Sequence, residues 1–233
     1  MIQAIYIKNG ESFTESEISK IPKILEQKAK LLWIDISVEN NELKDEEVSL
    51  LTDCFNFHEL SVEDCILPQY QPKVEEFENY VFVAIHGIKG GLKEFLETEK
   101  NFFELDIFIG KDYIITVHPI DLKILESIFE KAKVKPHIEL KSLEILLYRI
   151  FEKIGGSFEI TLEKLTDKID EIETKVLENP SPELMNEIFS AKKICLNLKK
   201  IIEQQINVYT YFTRETSRVV TKKTTAYFRD IYF

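Results

Sequence analysis

The chain has 233 residues, 44% of them hydrophobic and only seven glycine, with a formal net charge of −11. That length holds one large domain or two small ones with a full core, and the composition excludes a disordered chain. The negative charge argues against a general nucleic-acid binder, whose phosphate contacts need clustered Lys and Arg, and suits cations instead.

The charge is uneven: residues 183–233 hold nine basic and five acidic side chains, a net of +4, which leaves −15 on the first 182. Cys54, Cys65 and Cys195 are odd in number and far apart. They fit a reducing cytosol and oppose a disulfide framework or a structural zinc site. The opening MIQAIYIKNGESF lacks the basic, then apolar pattern of a signal peptide. No window approaches the ~18 consecutive apolar residues of a membrane helix, so the chain as given reads as soluble.

In chain order, residues 2–7 alternate as a strand closed by a turn at Asn9-Gly10. Thr14 to Lys28 reads as a helix, with Thr14 as N-cap, Glu17 completing a capping box and Pro22 as a point of strain. Leu31 to Ser37 is a strongly apolar strand, and Asp45 to Phe55 and His58 to Cys65 read as helices. The second of these ends in the adjacent carboxylates Glu63 and Asp64, which repel unless solvated or bridged by a cation. A loop from Pro68 to Pro72 follows, then the acidic run Glu75, Glu76 and Glu78. Tyr80 to Ile85, Phe102 to Ile109 and Tyr113 to Val117 are aromatic and β-branched strands, the last two joined by a hairpin turn at Gly110-Lys111-Asp112. Ile120 to Lys133 is an amphipathic helix. The intermixed elements predict an α+β chain built on a mixed sheet flanked by helices.

From Glu139 strand signals vanish. Phe158, Leu162, Leu165, Ile169, Ile172 and Val176 are spaced by alternating fours and threes. After a break at Glu178-Asn179-Pro180-Ser181-Pro182, the spacing resumes through Leu184, Ile188, Ala191, Cys195, Leu198, Ile202, Gln205, Tyr209 and Phe212. Two heptad helices joined by a short turn predict a long antiparallel helical hairpin, with Gly155-Gly156 as its weak point. The acidic run Asp167, Asp170, Glu171 and Glu173 falls on its polar face. Thr224 to Phe233 opens a further helix. The expected division is residues 1–138, an α/β domain; 139–222, the hairpin; and 223–233, the start of the last helix.

Several of these stretches carry a resemblance. Trp33-Ile34-Asp35, the pair Glu63-Asp64 and the run Gln71-Pro72-Lys73-Val74-Glu75-Glu76-Phe77-Glu78-Asn79-Tyr80 stand in order with Leu146-Leu147-Tyr148. Ile169-Asp170-Glu171-Ile172-Glu173 and Tyr227-Phe228-Arg229-Asp230 follow. Together they resemble the soluble region of the CorA-type magnesium transporters over nearly the whole chain. The resemblance implies an α/β/α sandwich on the cytoplasmic face of the cell membrane, two helices hanging beside a central stalk, and a homopentamer around an ion path. It also implies that the parent protein continues through the stalk into two membrane helices with a Gly-Met-Asn tripeptide, so that this chain is a soluble piece with a regulatory role.

Position by position, Asp64 matches one carboxylate of the family's main regulatory cation site, and Asp230 matches its partner on the neighbouring subunit. Glu63 and Glu152 match a second site. The implied ion is Mg2+, with Co2+ or nickel as further candidates, and oxygen-only ligands suit such hard cations. The implied partners are the chain itself and divalent cations, with membrane contact only through the missing C-terminal helices. The alternatives are the zinc-transporting branch of the same superfamily and a coiled-coil interaction protein without an ion role. No nucleophile, phosphate loop or cofactor motif favours an enzyme. His58, His86, His118 and His137 are isolated in sequence and read as core or surface residues.

Overall fold

The computed structural model describes residues 1–27, 29–40, 42–67, 71–89, 102–119, 122–178, 181–214 and 217–232. The expected loop residues Pro68 to Tyr70, the start of the helix at Ile120, the turn residues Asn179-Pro180 and the terminal Phe233 lie outside the described residues.

Seven strands form one sheet: β1 Ile2–Lys8, β2 Glu11–Glu15, β3 Leu31–Val38, β4 Lys73–Glu76, β5 Val81–Ile88, β6 Phe102–Ile109 and β7 Tyr113–Pro119. Their order is β2-β1-β3-β7-β6-β5-β4. Every neighbouring pair is antiparallel except β3 with β7, which run parallel with Ile34 opposite Ile115. The sheet is therefore mixed, as expected. The first hairpin turns tightly because Asn9 and Gly10 both take positive φ, 53° and 85°, as a two-residue turn between strands requires.

That hairpin also corrects the expected helix from Thr14. Residues 11–15 continue it as β2, and Phe13 stacks across the strands on Tyr6 with ring centroids 5.4 Å apart. This cross-strand aromatic pair outweighs the local capping pattern. The helix α1, Ile21–Glu26, starts later and carries Pro22 in its first turn, where a missing N–H costs nothing. The helix expected over 45–55 is present as one continuous run: α2, Asp45–Ser49, passes without a gap into a wider helical turn, Leu50–Cys54, so that Phe55 N–H reaches Leu50 C=O at 3.1 Å. Strand β4 and a short helix over Pro136–Glu139 are additions to the expected elements.

Helices cover both faces. On one, α1, the wide turn after α2, and α3 (Glu59–Asp64) pack Ile21, Ile24, Leu50, Leu51 and Val62 against Ile34, Phe82, Phe108 and Val117. On the other lie α4 (Lys123–Val134), α5 (Pro136–Glu139), α6 (Leu143–Glu178), α7 (Pro182–Thr213) and α8 (Thr225–Tyr232). There Leu125, Phe129, Leu147, Phe151, Phe212 and Phe228 close over Trp33, Val83, Leu105 and Ile107. The α/β/α layering follows from strands such as VFVAIHGI, buried at every residue, with alternate side chains entering the two cores.

Helices α6 and α7 form the long hairpin; α6 has 36 residues, about 54 Å at 1.5 Å per residue. Its first turns, with Leu146, Leu147, Ile150, Phe151 and Ile154, belong to the sheet's own core. β4 covers β5 only from Val81 to Ala84, which leaves the rest of that edge to be satisfied otherwise. The hairpin does this: Gln205 Oε1 accepts from His86 N–H at 2.8 Å, and Ser157 Oγ accepts from Ile88 N–H at 3.1 Å. Gln205 thus sits in an apolar seam for a reason.

The seam itself needs correction. Every seventh expected residue is buried, namely Phe158, Leu165, Ile172, Leu184, Ala191, Leu198, Gln205 and Phe212. Between them Tyr209 is buried as expected, beside Val208, but elsewhere the contact falls one residue earlier than expected. Thr161 is buried rather than Leu162, and Ile194 rather than Cys195. Leu165 is 2% exposed but Ile169 is 40% exposed. In place of Ile169, Lys168 faces the second helix and pairs with Glu187 at 3.1 Å, and Lys175 meets the same carboxylate at 3.8 Å.

A buried polar row crosses β3 and β7. Trp33 Nε1–H donates to Thr116 Oγ1 at 3.0 Å, Thr116 donates to Asp35 Oδ1 at 2.5 Å, and Gln3 Nε2–H donates to Asp35 Oδ2 at 3.0 Å. His118 offers Nε2 to the same Asp35 Oδ1 at 3.2 Å and Nδ1 to Pro119 C=O at 2.7 Å. Both partners are acceptors, an arrangement that favours the doubly protonated ring. Burial opposes the Asp35 charge, but His118 first, then Thr116 and Gln3, overcome it and hold the carboxyl below its ordinary value. Burial likewise opposes the His118 charge, and Asp35 outweighs it and raises the ring.

Two outcomes are expected. Leu165→Ala should cost about 2–5 kcal/mol in denaturant melts, and Ile169→Ala under about 1 kcal/mol; equal costs would contradict the shifted seam. The raised His118 contributes stability that is whole below its unfolded pKa of about 6.5 and is lost as pH rises through its folded value. The depressed Asp35 contributes above about pH 4 and loses this as pH falls through its folded value. Melts of the wild-type chain should therefore weaken from pH 6 to 9, and His118→Gln should remove that slope; an unchanged slope would contradict the pair.

Candidate functional site

The carboxylates singled out in the sequence are held by two different layers. Helix α3 starts where His58 turns its Nδ1 to accept from Leu60 N–H at 3.2 Å, capping an otherwise open amide. Tyr80, at the head of β5, anchors it from below: its hydroxyl accepts from His58 N–H at 3.0 Å and bonds Ser61 Oγ at 2.9 Å. With Val62 and Cys65 buried, the last turn of α3 has to point Glu63 outward and leave Asp64 at the boundary.

Asp64 does not face open solvent. Its Oδ2 lies 2.5 Å from Lys73 Nζ, and the same ammonium is 3.3 Å from Glu75 Oε1. Lys73 reaches this place because β4 pairs it with Ala84, and β6 pairs Ala84 with Asp106. The small alanine leaves room in that row for the lysine stem, whose ammonium stands 5.5 Å from the centre of the Phe82 ring. Burial works against the Lys73 charge, and Asp64 and then Glu75 outweigh it, so its pKa is raised.

Behind this pair lies a group the sequence reading passed over. Asp106 is buried, and its Oδ1 has no hydrogen-bond partner among the described residues. Burial first, then the charges of Glu104 and Asp64, push its pKa well above the usual carboxylate range. The thiol of Cys65 is pushed up for the same reasons, with burial leading. The signal available in the sequence was a lone Asp inside the apolar run FFELDIFI.

Glu152 and Asp230 stand on the opposite side of the sheet. Glu152 accepts from Tyr148 Oη–H at 3.1 Å and pairs with Arg149 at 3.1 Å. Helix α8 is seated there by Phe228, which stacks on Phe212 at 5.6 Å and meets Phe151 edge-on at 6.0 Å. Asp230, exposed on that helix, is near enough to help Glu152 and burial raise the Tyr148 phenol, with burial the largest cause. The structure thus brings Glu152 and Asp230 to one neighbourhood and Glu63 and Asp64 to another, with the sheet between them. Among the described residues no three His, Cys, Asp or Glu side chains are grouped to hold a metal ion within the chain.

The histidines have local roles. His58 caps a helix, His118 belongs to the polar row, His86 is buried 3.3 Å from Glu104, and His137 is exposed. Among the acidic residues of the hairpin's polar face, Glu171 is paired with Lys168 and Lys175.

Comparison with known proteins matches residues 28–233 to the family model described as CorA-like Mg2+ transporter protein. YfjQ of Bacillus subtilis, a candidate metal ion transporter, is 30% identical over 94% of this chain and 66% of its own length. The chain spans about two thirds of the length of the first curated relatives it matches. The soluble domain of CorA from Methanocaldococcus jannaschii superposes with a TM-score of 0.73 at 22% identity, covering 100% of this chain and 86% of that one. The ZntB cytoplasmic domain from Vibrio parahaemolyticus superposes at 0.69 with 16% identity, covering 99% and 88%. At these identities the structural likenesses establish a shared fold.

Proposed function

The chain belongs to the CorA-like Mg2+ transporter family, and on that premise we propose that it is the cytosolic, divalent-cation-sensing region of a membrane transporter of that family. In this reading it regulates an ion path supplied elsewhere in the full-length protein. No described helix is long and apolar enough to cross a membrane.

The observation that carries the proposal is the separation of the candidate ligands. Asp64 leaves one face of the sheet, Asp230 and Glu152 leave the other, and the covered sheet lies between. A site using both can close only between copies, as in a ring of five in which Asp64 of one copy faces Asp230 of the next. A hydrated Mg2+ between the two carboxylates bridges neighbouring copies, and that bridge is what its loss removes. A ligand shifts an equilibrium only by its preference for one state, and this ion prefers the assembled, closed ring. Loss of the ion loosens the ring and opens the path, which is feedback on cytosolic magnesium. Glu63 and Glu152 form a second, weaker contact of the same kind.

The zinc-transporting branch shares the fold, but the donors here are carboxylate oxygens, which suit Mg2+; zinc draws nitrogen and sulfur. The nearby sulfur, Cys65, is buried and kept as a thiol. In the full-length protein, Asp64→Ala and Asp230→Ala should each reduce magnesium protection of this region against proteolysis, and the double variant should do little worse than either. Undiminished protection in both single variants would sink the proposal.

A further inference from the structure

The Asp64 carboxylate is already occupied. Lys73 Nζ contacts its Oδ2 at 2.5 Å, and the two side chains are only 26% and 18% exposed. Solvent screens this pair less than a surface one. A divalent cation arriving at Asp64 therefore meets an ammonium that occupies the same lone pairs, so the two cations compete.

Three features fit Lys73 to this role. The strand register fixes its base: Lys73 stands opposite Ala84, in a row with Asp106, beneath the end of α3. Its ammonium has a second seat, since Glu75 Oε1 is 3.3 Å away and projects from the same strand two residues on. Leaving Asp64 therefore does not strand the charge. Finally, the group is an ammonium on a flexible stem, a point charge without the rigid two-pronged fork by which arginine clamps a carboxylate. It can hold and it can let go.

We propose that Lys73 is a tethered counter-ion of Asp64, displaced toward Glu75 when a divalent cation binds, and that it thereby sets the cation concentration at which the region responds. The proposal rests on Asp64 acting as a sensor ligand. A competitor tethered in the same fold acts at a high effective concentration, on the order of millimolar or more. It weakens the apparent affinity for the ion. It also neutralises Asp64 once the ion has left, so that the ion-free state does not carry a bare, half-buried carboxylate. No bond is made or broken in the exchange; one cation replaces another on one carboxylate.

The test is a MgCl2 titration of protease protection in the full-length protein, comparing wild type with Lys73→Met, Lys73→Arg, Asp64→Ala and the control Lys20→Met. Methionine keeps a stem over Phe82 without the charge, and thermal melts check that each variant is folded. Lys20 is a paired lysine far along the chain, between Glu15 and Glu17, so its loss reports the effect of net charge alone. The Lys73→Met midpoint should fall about three- to tenfold, the loss expected for one partly buried ion pair. Lys73→Arg should stay at or above the wild-type midpoint, and Lys20→Met should not move. A Lys73→Met midpoint that is unchanged or raised, with Asp64→Ala still abolishing protection, overturns the counter-ion while leaving the sensor intact. A shift in Lys20→Met as large as that in Lys73→Met also overturns it, because net charge then explains both. Full protection in Asp64→Ala overturns the sensor and the counter-ion together.

Discussion

The seven-stranded sheet is covered on both faces, so its central strands have to place apolar side chains toward two cores at once. Charged groups are thereby pushed to strand ends, sheet edges and the outer turns of helices, since an unpaired buried charge is costly. The exceptions inside the sheet carry their own remedies. Asp35 is matched by His118 and by a chain of three neutral side chains, Gln3, Thr116 and Trp33. Asp106 instead has its pKa pushed well up by burial and by neighbouring carboxylates. One of these acids is stabilised in its charged form and the other is not.

The same covered sheet decides where the candidate ligands go. Glu63 and Asp64 close the short α3 on one layer, held by Tyr80 from beneath. Glu152 and Asp230 ride on α6 and α8 in the other layer, fixed by the Phe151, Phe212 and Phe228 cluster. Among the described residues neither pair is grouped with a third ligand in one chain; the proposed sensor uses each as half of a site, its signal being the closeness of neighbouring copies.

Much of the fold is legible in the sequence because the strands alternate or run continuously apolar, and the Asn9-Gly10 turn is a strong local signal. β2 was hidden because Thr14 and Glu17 imitate a helix start, while the stacking of Phe13 on Tyr6 is a contact between strands. The hairpin seam was half legible for a different reason. Pairs such as Ile194-Cys195, Ile201-Ile202 and Val208-Tyr209 satisfy two heptad registers equally. The choice between them rests on Lys168 meeting Glu187 across the helices. As candidate ligands, Asp64 and Asp230 rest on family resemblance alone, since adjacent carboxylates and a lone helix aspartate are ordinary surface features. Lys73 stood in a quoted motif without a role, because its partner lies nine residues earlier on another element. Asp106 acquires its character from burial, which strand β6 alone does not reveal.

The central claim is that the sensing carboxylates complete each other between copies, and subunit mixing tests it most directly. Full-length Asp64→Ala and Asp230→Ala proteins, each insensitive alone, would be co-assembled and their magnesium protection compared with that of either parent. An assembly of mixed copies contains contacts in which the intact Asp64 of one faces the intact Asp230 of the next, so part of the wild-type protection should return. Protection no better than in the separate variants would contradict a site shared between subunits.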